Sequence, residues 1–292
     1  MLFESTSTRP LFELPAGFRF PALSTWTDEY LKDKMGTRDI SVAVTPNGLA
    51  DAITPGPDGK LYFVEPWIEK MTMEQLLQSL HDPERDVRYL QSQNGNLFSS
   101  TSFYDASDSV PTSEFAPLLD DLPKEVPWCS EALGQKPDAV NIWIGDQRSV
   151  TSIHSDPYEN IYTVIRGEKE FLLLPPTDSW CLKERLYPHA TYSRQHESEA
   201  LRITPSGPDA TEVRWSSVLD PTATGALPEE VTPIRVTLRP GDSLYLPVGW
   251  WHYVRQSGLT IALNWWYDAE MRGMTWTTLN FLRNVVPVAP GN

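Results

Sequence analysis

A chain of 292 residues, 40% hydrophobic and 11% aromatic with 11 Trp, can bury a sizeable core; this argues against disorder and for one barrel or sandwich with decorations. Its net charge of −15 disfavours a nucleic-acid or anionic-membrane surface and suits a basic protein or peptide partner, or simply a solvated exterior. Cys129 and Cys181 stand far apart, so no disulfide framework is expected. No apolar run reaches the ~20 residues of a membrane span and no leader-like segment opens the chain, so a soluble, cytoplasmic or nuclear protein is expected.

Residues 1–20 carry no clear periodicity and are expected to be irregular. Residues 26–36 (WTDEYLKDKMG) read as a short helix, with Thr27 as N-cap and Gly36 at its close. DISVAVTPNG (39–48) alternates as a strand and runs into a Pro-Asn-Gly turn. Thr72 to Gln75 form a capping box that opens a helix with Leu76, Leu77 and Leu80 on its apolar side. The Ser-rich stretch 92–114 is expected to be a long loop, either a lid or a disordered insertion. A second polar loop is expected over 193–230.

Between and after these loops lie the strands. AVNIWIG (139–145), NIYTVIRG (160–167) and KEFLLLPP (169–176) are strand-like, with a tight hairpin expected at Gly167-Glu168. RVTLRPGDSLYLPVGWWHYVRQ (235–256) and LTIALNWWYD (259–268) give at least three more, with Pro-Gly and Ser-Gly turns. Many short strands joined by turn residues predict a mainly β barrel or jelly roll with flanking helices. Residues 21–268, the two polar loops included, thus form the expected β domain. From Asp268 a C-terminal helix and tail (269–292) are expected, with Met271, Met274, Thr278, Leu282 and Val285 packing on the barrel or on a second copy in a homodimer.

Chemistry enters at His154-Ser155-Asp156. On an extended segment residues i and i+2 share a face, so an imidazole and a carboxylate can take adjacent positions on a metal. His252, after GDSLYLPVGWW, is the candidate third ligand. Two His and one carboxylate leave coordination sites open, as in non-haem Fe(II) oxygenases, though zinc could use a similar set. His81, His189 and His196 have no partner at ligand spacing. Lys169 opens an apolar strand and needs an anionic partner or an exit to solvent, and a bound dicarboxylate would supply the first. Thr151 and Tyr162 offer hydroxyls nearby, and Asn160 and Asn264 are polar residues among apolar neighbours.

The string S-V-T-S-I-H-S-D-P-Y-E-N-I-Y-T-V-I-R-G-E-K-E-F-L-L-L-P-P (149–176), with V-P-W-C-S-E-A-L-G (126–134), P-D-A-V-N-I-W-I-G (137–145), L-Y-L-P-V-G-W-W-H (244–252) and N-W-W-Y-D (264–268), resembles the Jumonji-C family of oxygenases. S-V-A-V-T-P-N-G-L-A-D-A (41–52) fits as well, and the resemblance covers roughly residues 20–285 apart from the two polar loops. It implies a double-stranded β-helix, cupin-like enzyme in which His154, Asp156 and His252 take Fe(II). It further implies that Lys169 pairs with the distal carboxylate of 2-oxoglutarate, helped by Thr151, Tyr162 and Tyr89, with Asn160 and Asn264 in the same pocket and O2 as oxidant. The resemblance extends to a (3S)-lysyl hydroxylase acting on developmentally regulated GTP-binding proteins, which implies a GTPase with a Lys-rich segment as the expected partner. The alternatives are the same chemistry on a tRNA base, which the acidic charge opposes, a metal-dependent peptidase, and a binding protein with a dead site. No G-x-S-x-G elbow supports a serine hydrolase.

Overall fold

The computed structural model describes residues 11–13, 19–82, 86–91, 95–99, 113–196, 198–207, 209–269, 273–284 and 288–291. Two long strands, Tyr158–Leu174 and Trp251–Asp268, form its spine and pair antiparallel from Tyr158↔Asp268 to Leu174↔Trp251. The other edge of each is divided between two shorter partners. Asp242–Leu246 and Ile234–Leu238 flank the first; Ala139–Gly145 and Val150–Ser155 flank the second. Leu11–Glu13 adds a further strand beside Asp242–Leu246, within the stretch expected to be irregular. The nine-stranded sheet curls into the cupin-like jelly roll.

The expected hairpin at Gly167-Glu168 is absent: the chain passes straight through it as one strand. Two register shifts, Val164/Arg166 and Arg166/Glu168, bend the strand there instead. Gly167 has φ +77°, and a Cβ on it would lie 2.5 Å from the Leu259 carbonyl oxygen. The expected Ser-Gly turn at 257–258 is likewise a bend inside a continuous strand. The Pro240-Gly241 turn separates two strands as the sequence suggests.

Side-chain alternation on the spine sorts two apolar layers. Ile161, Leu263, Trp265 and Tyr267 face a layer capped by the helices Asp28–Met35 and Met73–Leu80. Tyr162, Val164, Ala262 and Trp266 face the inside of the curl. Both helices are built as the sequence predicts. The Thr27 hydroxyl accepts from the Tyr30 N–H, and Thr72 and Gln75 cap each other reciprocally. Each fully buried Leu at these contacts contributes about 2 kcal/mol through the apolar area it removes from water.

The stretch 193–230 is more ordered than its composition suggests. It carries the strands Arg202–Pro205 and Val213–Trp215, and the latter pairs with Arg185–Tyr187. Of the loop expected over 92–114, residues 92–94 and 100–112 lie outside the described residues. Within the rest, Phe98–Ser99 pairs with Ala139–Gly145, and the Glu114 carboxylate accepts from the Ser41 N–H at 2.7 Å.

The C-terminal helix, Gly273–Asn284, docks by a different face from the predicted stripe. Leu279 fills the space left by Gly249, and the Arg283 guanidinium lies 5.4 Å from the Trp251 ring while bonding the buried Glu184 at 2.6 Å. Met274 and Phe281 remain 76% and 69% exposed, whereas Met271 and Val285 lie outside the described residues. The room beside Gly249 and the Glu184 anchor decide the facing; the heptad-like spacing of Met and Leu does not.

Candidate active site

His154 ends the strand Val150–Ser155, and His252 begins the strand Trp251–Asp268. The two are direct cross-strand partners, with ring centroids 4.2 Å apart. Asp156 follows immediately, with one carboxylate oxygen 3.6 Å from His154 Nε2 and the other 3.6 Å from His252 Nε2. These distances are too long for hydrogen bonds, and the three donor atoms frame a gap, all within 4.8 Å of one another. His154 Nδ1 donates to the Ser152 carbonyl at 2.8 Å, and His252 Nδ1 donates to the Trp250 carbonyl at 3.1 Å. Each ring is thereby held in the tautomer whose Nε2 lone pair points at the gap. Burial and the neighbouring His154 push the His252 pKa down to about 4, so this ring is neutral near pH 7.

A bulge shapes the same strand. Thr151 opposes Val254 while His154 opposes His252, so three steps on one strand match two on the other. In a regular strand residues 151 and 154 would face opposite ways; here both line one cavity of about 590 Å³. Tyr89, Tyr162, Asn160 and Asn264 line it too, beside the triad. Asn264 is the hub of the polar wall. Its oxygen accepts from Trp143 Nε1 at 2.9 Å and Asn141 Nδ2 at 3.2 Å, and its amide donates to Asn160 at 3.2 Å.

Lys169 stands behind this wall and is 2% exposed. Its ammonium donates to the Tyr89 hydroxyl at 3.1 Å and has no carboxylate partner among the described residues. Burial alone pulls its pKa down to about 7. Burial also raises the Tyr89 and Tyr162 phenols, which stay protonated donors. The Trp266 indole N–H, on the cavity wall, is buried without an acceptor among the described residues. A buried cation and an orphaned donor beside two imidazoles and a carboxylate fit a divalent metal with an anionic co-ligand.

Three further wall residues escape sequence reasoning. Trp215, from the stretch read as loop, stacks on His154 with centroids 5.9 Å apart and planes 9° from parallel. Phe63 packs on Trp215 at 4.7 Å. Asp51 adopts φ +51°, rare for a residue other than glycine, and its carboxylate accepts from Gln91 Nε2 at 3.0 Å. Burial and the nearby Glu65 raise the Asp51 pKa to about 6. Only a short polar residue that tolerates a left-handed backbone hints at such a position, and no spacing rule marks it.

The curled sheet and the triad at its mouth define a cupin-like metal-site fold. The sequence matches the cupin-like domain family over residues 8–273. It is 37% identical over 268 residues to the human bifunctional peptidase and (3S)-lysyl hydroxylase JMJD7, covering 90% of this chain and 78% of that protein. It is 35% identical over 302 residues to the Arabidopsis thaliana lysine-specific demethylase JMJ32 (96% and 81%), and 31% identical over 292 residues to the Dictyostelium discoideum JmjC domain-containing protein E (90% and 78%). The chain therefore belongs to the cupin-like JmjC family. It is a 2-oxoglutarate-dependent dioxygenase of that iron-dependent group.

Proposed function

We propose that this enzyme hydroxylates a lysine side chain in a protein substrate, with Fe(II) on His154, Asp156 and His252 and 2-oxoglutarate anchored by Lys169. The observation that carries the reading is the in-register facing of His154 and His252 with the Asp156 carboxylate bridging their Nε2 atoms. Support for lysine comes from the lysyl hydroxylase named among the relatives. Bound there, iron and the keto acid would supply the oxidation, turning O2 and 2-oxoglutarate into succinate, CO2 and a hydroxylated side chain.

The protein's own groups bind, orient and exclude. Lys169 would hold the distal carboxylate of the keto acid, with the hydroxyls of Tyr89, Thr151 and Tyr162 as donors nearby. Asn160, held by Asn264, lines the same pocket. Trp143 and Trp266 close the inner wall and keep water from the reacting carbon. His252 stays neutral, so no ligand proton need be displaced near pH 7 when metal binds.

The substrate is a Lys-rich segment of a developmentally regulated GTP-binding protein, which the net charge of −15 suits. The working compartment is the cytoplasm. The exposed Met274 and Phe281 side of the C-terminal helix is the contact of a homodimer, and Phe281→Glu should leave a monomer by light scattering. A second reading, lysine demethylation, is favoured by the name of the plant relative.

Mass spectrometry separates the readings when enzyme, Fe(II) and 2-oxoglutarate meet a lysine peptide from such a GTP-binding protein. One added oxygen on lysine, absent without 2-oxoglutarate and in His154→Ala, supports hydroxylation. Loss of a methyl group from methyl-lysine with release of formaldehyde supports demethylation. Cleavage without 2-oxoglutarate would transfer the assignment to a peptidase, and oxidation of a tRNA base to the nucleic-acid branch of the chemistry.

A further inference from the structure

The cavity wall facing the metal gap holds charge that the metal and the keto acid do not use. Once the triad is set aside, the charged groups lining the cavity are Asp51 and Glu65, both acidic. Neither meets a Lys or Arg among the described residues. The Asp51 carboxylate accepts from the Gln91 amide, and Glu65 lies 3.4 Å from His189 Nε2. The walls beside them are aromatic, with Phe63 and Trp215 packed together and Trp215 stacked on His154.

Asp51 is tied to the triad through backbone and hydroxyl. Its carbonyl accepts from Ser152 Oγ at 2.7 Å, and that hydroxyl accepts from Trp215 Nε1 at 3.2 Å. The Ser152 carbonyl in turn orients His154. The carboxylate is therefore fixed relative to the metal gap. Elsewhere in the same cavity, on its inner wall, the buried Trp266 indole N–H lacks an acceptor among the described residues, as in a space that a ligand completes.

We propose that Asp51, with Glu65 at the outer rim, receives the ammonium group of the substrate lysine, while its methylene stem lies along the wall that Phe63 and Trp215 form together. The inference rests on the lysyl hydroxylase reading and adds the residues that choose the side chain. An aliphatic stem against an aromatic wall with a cation on a fixed carboxylate matches lysine in both shape and charge. It also sets the distance between the ammonium and the metal gap, and hence which carbon lies nearest the oxidant. A neutral isostere fills the same space but leaves the Asp51 carboxylate unpaired.

The test uses two peptides that differ only at the centre, one with lysine and one with norleucine, which has the stem without the ammonium. Each is titrated calorimetrically into the full chain holding Zn(II) and N-oxalylglycine, so that binding is read without turnover. The wild-type protein should prefer lysine by at least about tenfold, as a charge-assisted contact in a desolvated site provides. Asp51→Asn should bring that ratio close to one. Asparagine tolerates a left-handed backbone nearly as well as aspartate, so the fold is kept. Glu65→Gln, on a half-exposed side chain, should lower the ratio by a smaller factor and serves as a second variant free of folding risk.

No lysine preference in the wild-type protein, or a preference that survives both substitutions, would overturn the proposal. Binding and chemistry fail separately. Lysine preference lost in Asp51→Asn with no oxygen added to any peptide would leave the ammonium site standing and remove the hydroxylase reading. Oxygen added equally to both peptides would do the reverse.

Discussion

His154 and His252 occupy directly opposed positions on two antiparallel strands, their rings 4.2 Å apart and each Nδ1 bonded to a carbonyl two residues earlier in its own chain. The site therefore owes its geometry to sheet register more than to loops. A one-residue slip of either strand would turn one ring to the other face. Asp156 needs no register, because it sits two residues beyond His154 and its carboxylate lies between both rings.

The first prediction concerns this carboxylate. Asp156→Ala leaves two imidazoles and no anionic ligand to hold a divalent ion. Metal affinity should fall by at least about a hundredfold, a larger loss than second-shell changes cause. Adding Mn(II) should raise the melting temperature of the wild-type protein by linkage and leave the variant's unmoved. A variant that still gains thermal stability with Mn(II) would displace Asp156 from the ligand set.

Gly167 gives the second. Its φ of +77° and the Leu259 carbonyl 2.5 Å from any Cβ leave no room for a side chain at the bend of the spine. Gly167→Ala should cost roughly 2–3 kcal/mol, combining a strained backbone with a displaced neighbouring strand. Gly59→Ala is the control. It shares a positive φ, +82°, but meets nothing within 4 Å, and it should cost about 1 kcal/mol. Urea unfolding of both variants checks the contrast, and equal losses would mean that the bend tolerates a side chain.

The triad was legible because its chemistry is local: His154 and Asp156 share a short extended segment, and His252 follows a strand that returns to the mouth. The spine was only half legible. A Gly-Glu pair between two apolar runs satisfies the local rules for a turn, and only the partner strand Trp251–Asp268, about ninety residues on, makes it a bulge. Asp51, Phe63 and Trp215 escaped for a related reason. Phe63 and Trp215 come from small sheets outside the spine and Asp51 from a bend between two strands, and Trp215 sits in a stretch whose Pro, Ser and Glu content masks its pairing with Arg185–Tyr187. Of the two places expected for the stripe on the last helix, the barrel is taken by another face, because Gly249 and Glu184, far away in sequence, decide the docking.

Trp215 carries the third prediction. Its ring covers His154, and its N–H holds Ser152, whose carbonyl fixes the same imidazole. Trp215→Ala should weaken metal binding roughly tenfold, as loss of an orienting outer contact does. Trp215→Phe keeps the stacking face and loses the N–H, so it should fall between alanine and wild type. Metal titrations of the three proteins give the order directly. An alanine variant with wild-type affinity would show that the carbonyl alone orients His154.

The fourth concerns Lys169, where stability and function pull apart. Burial holds its pKa near 7, against roughly 10.4 for an exposed lysine. Between those values the unfolded chain binds more protons than the folded one, so the destabilisation is full below pH 7 and fades as pH rises toward 10. Replacing the cation by an apolar side chain of similar length, Lys169→Met, should therefore stabilise the protein at pH 6, and the gain should shrink by pH 9. Ligand binding runs the other way. The distal carboxylate of 2-oxoglutarate needs the protonated ammonium, so affinity should hold below pH 7 and drop as pH climbs above it. The complex should take up a proton when it forms at pH 8 but not at pH 6. Calorimetry of 2-oxoglutarate binding in two buffers of different ionisation enthalpy measures that proton. Chemical unfolding of the variant measures the stability. Proton uptake that is the same at pH 6 and pH 8 would mean that Lys169 is already charged in the empty site and that some other group offsets its burial.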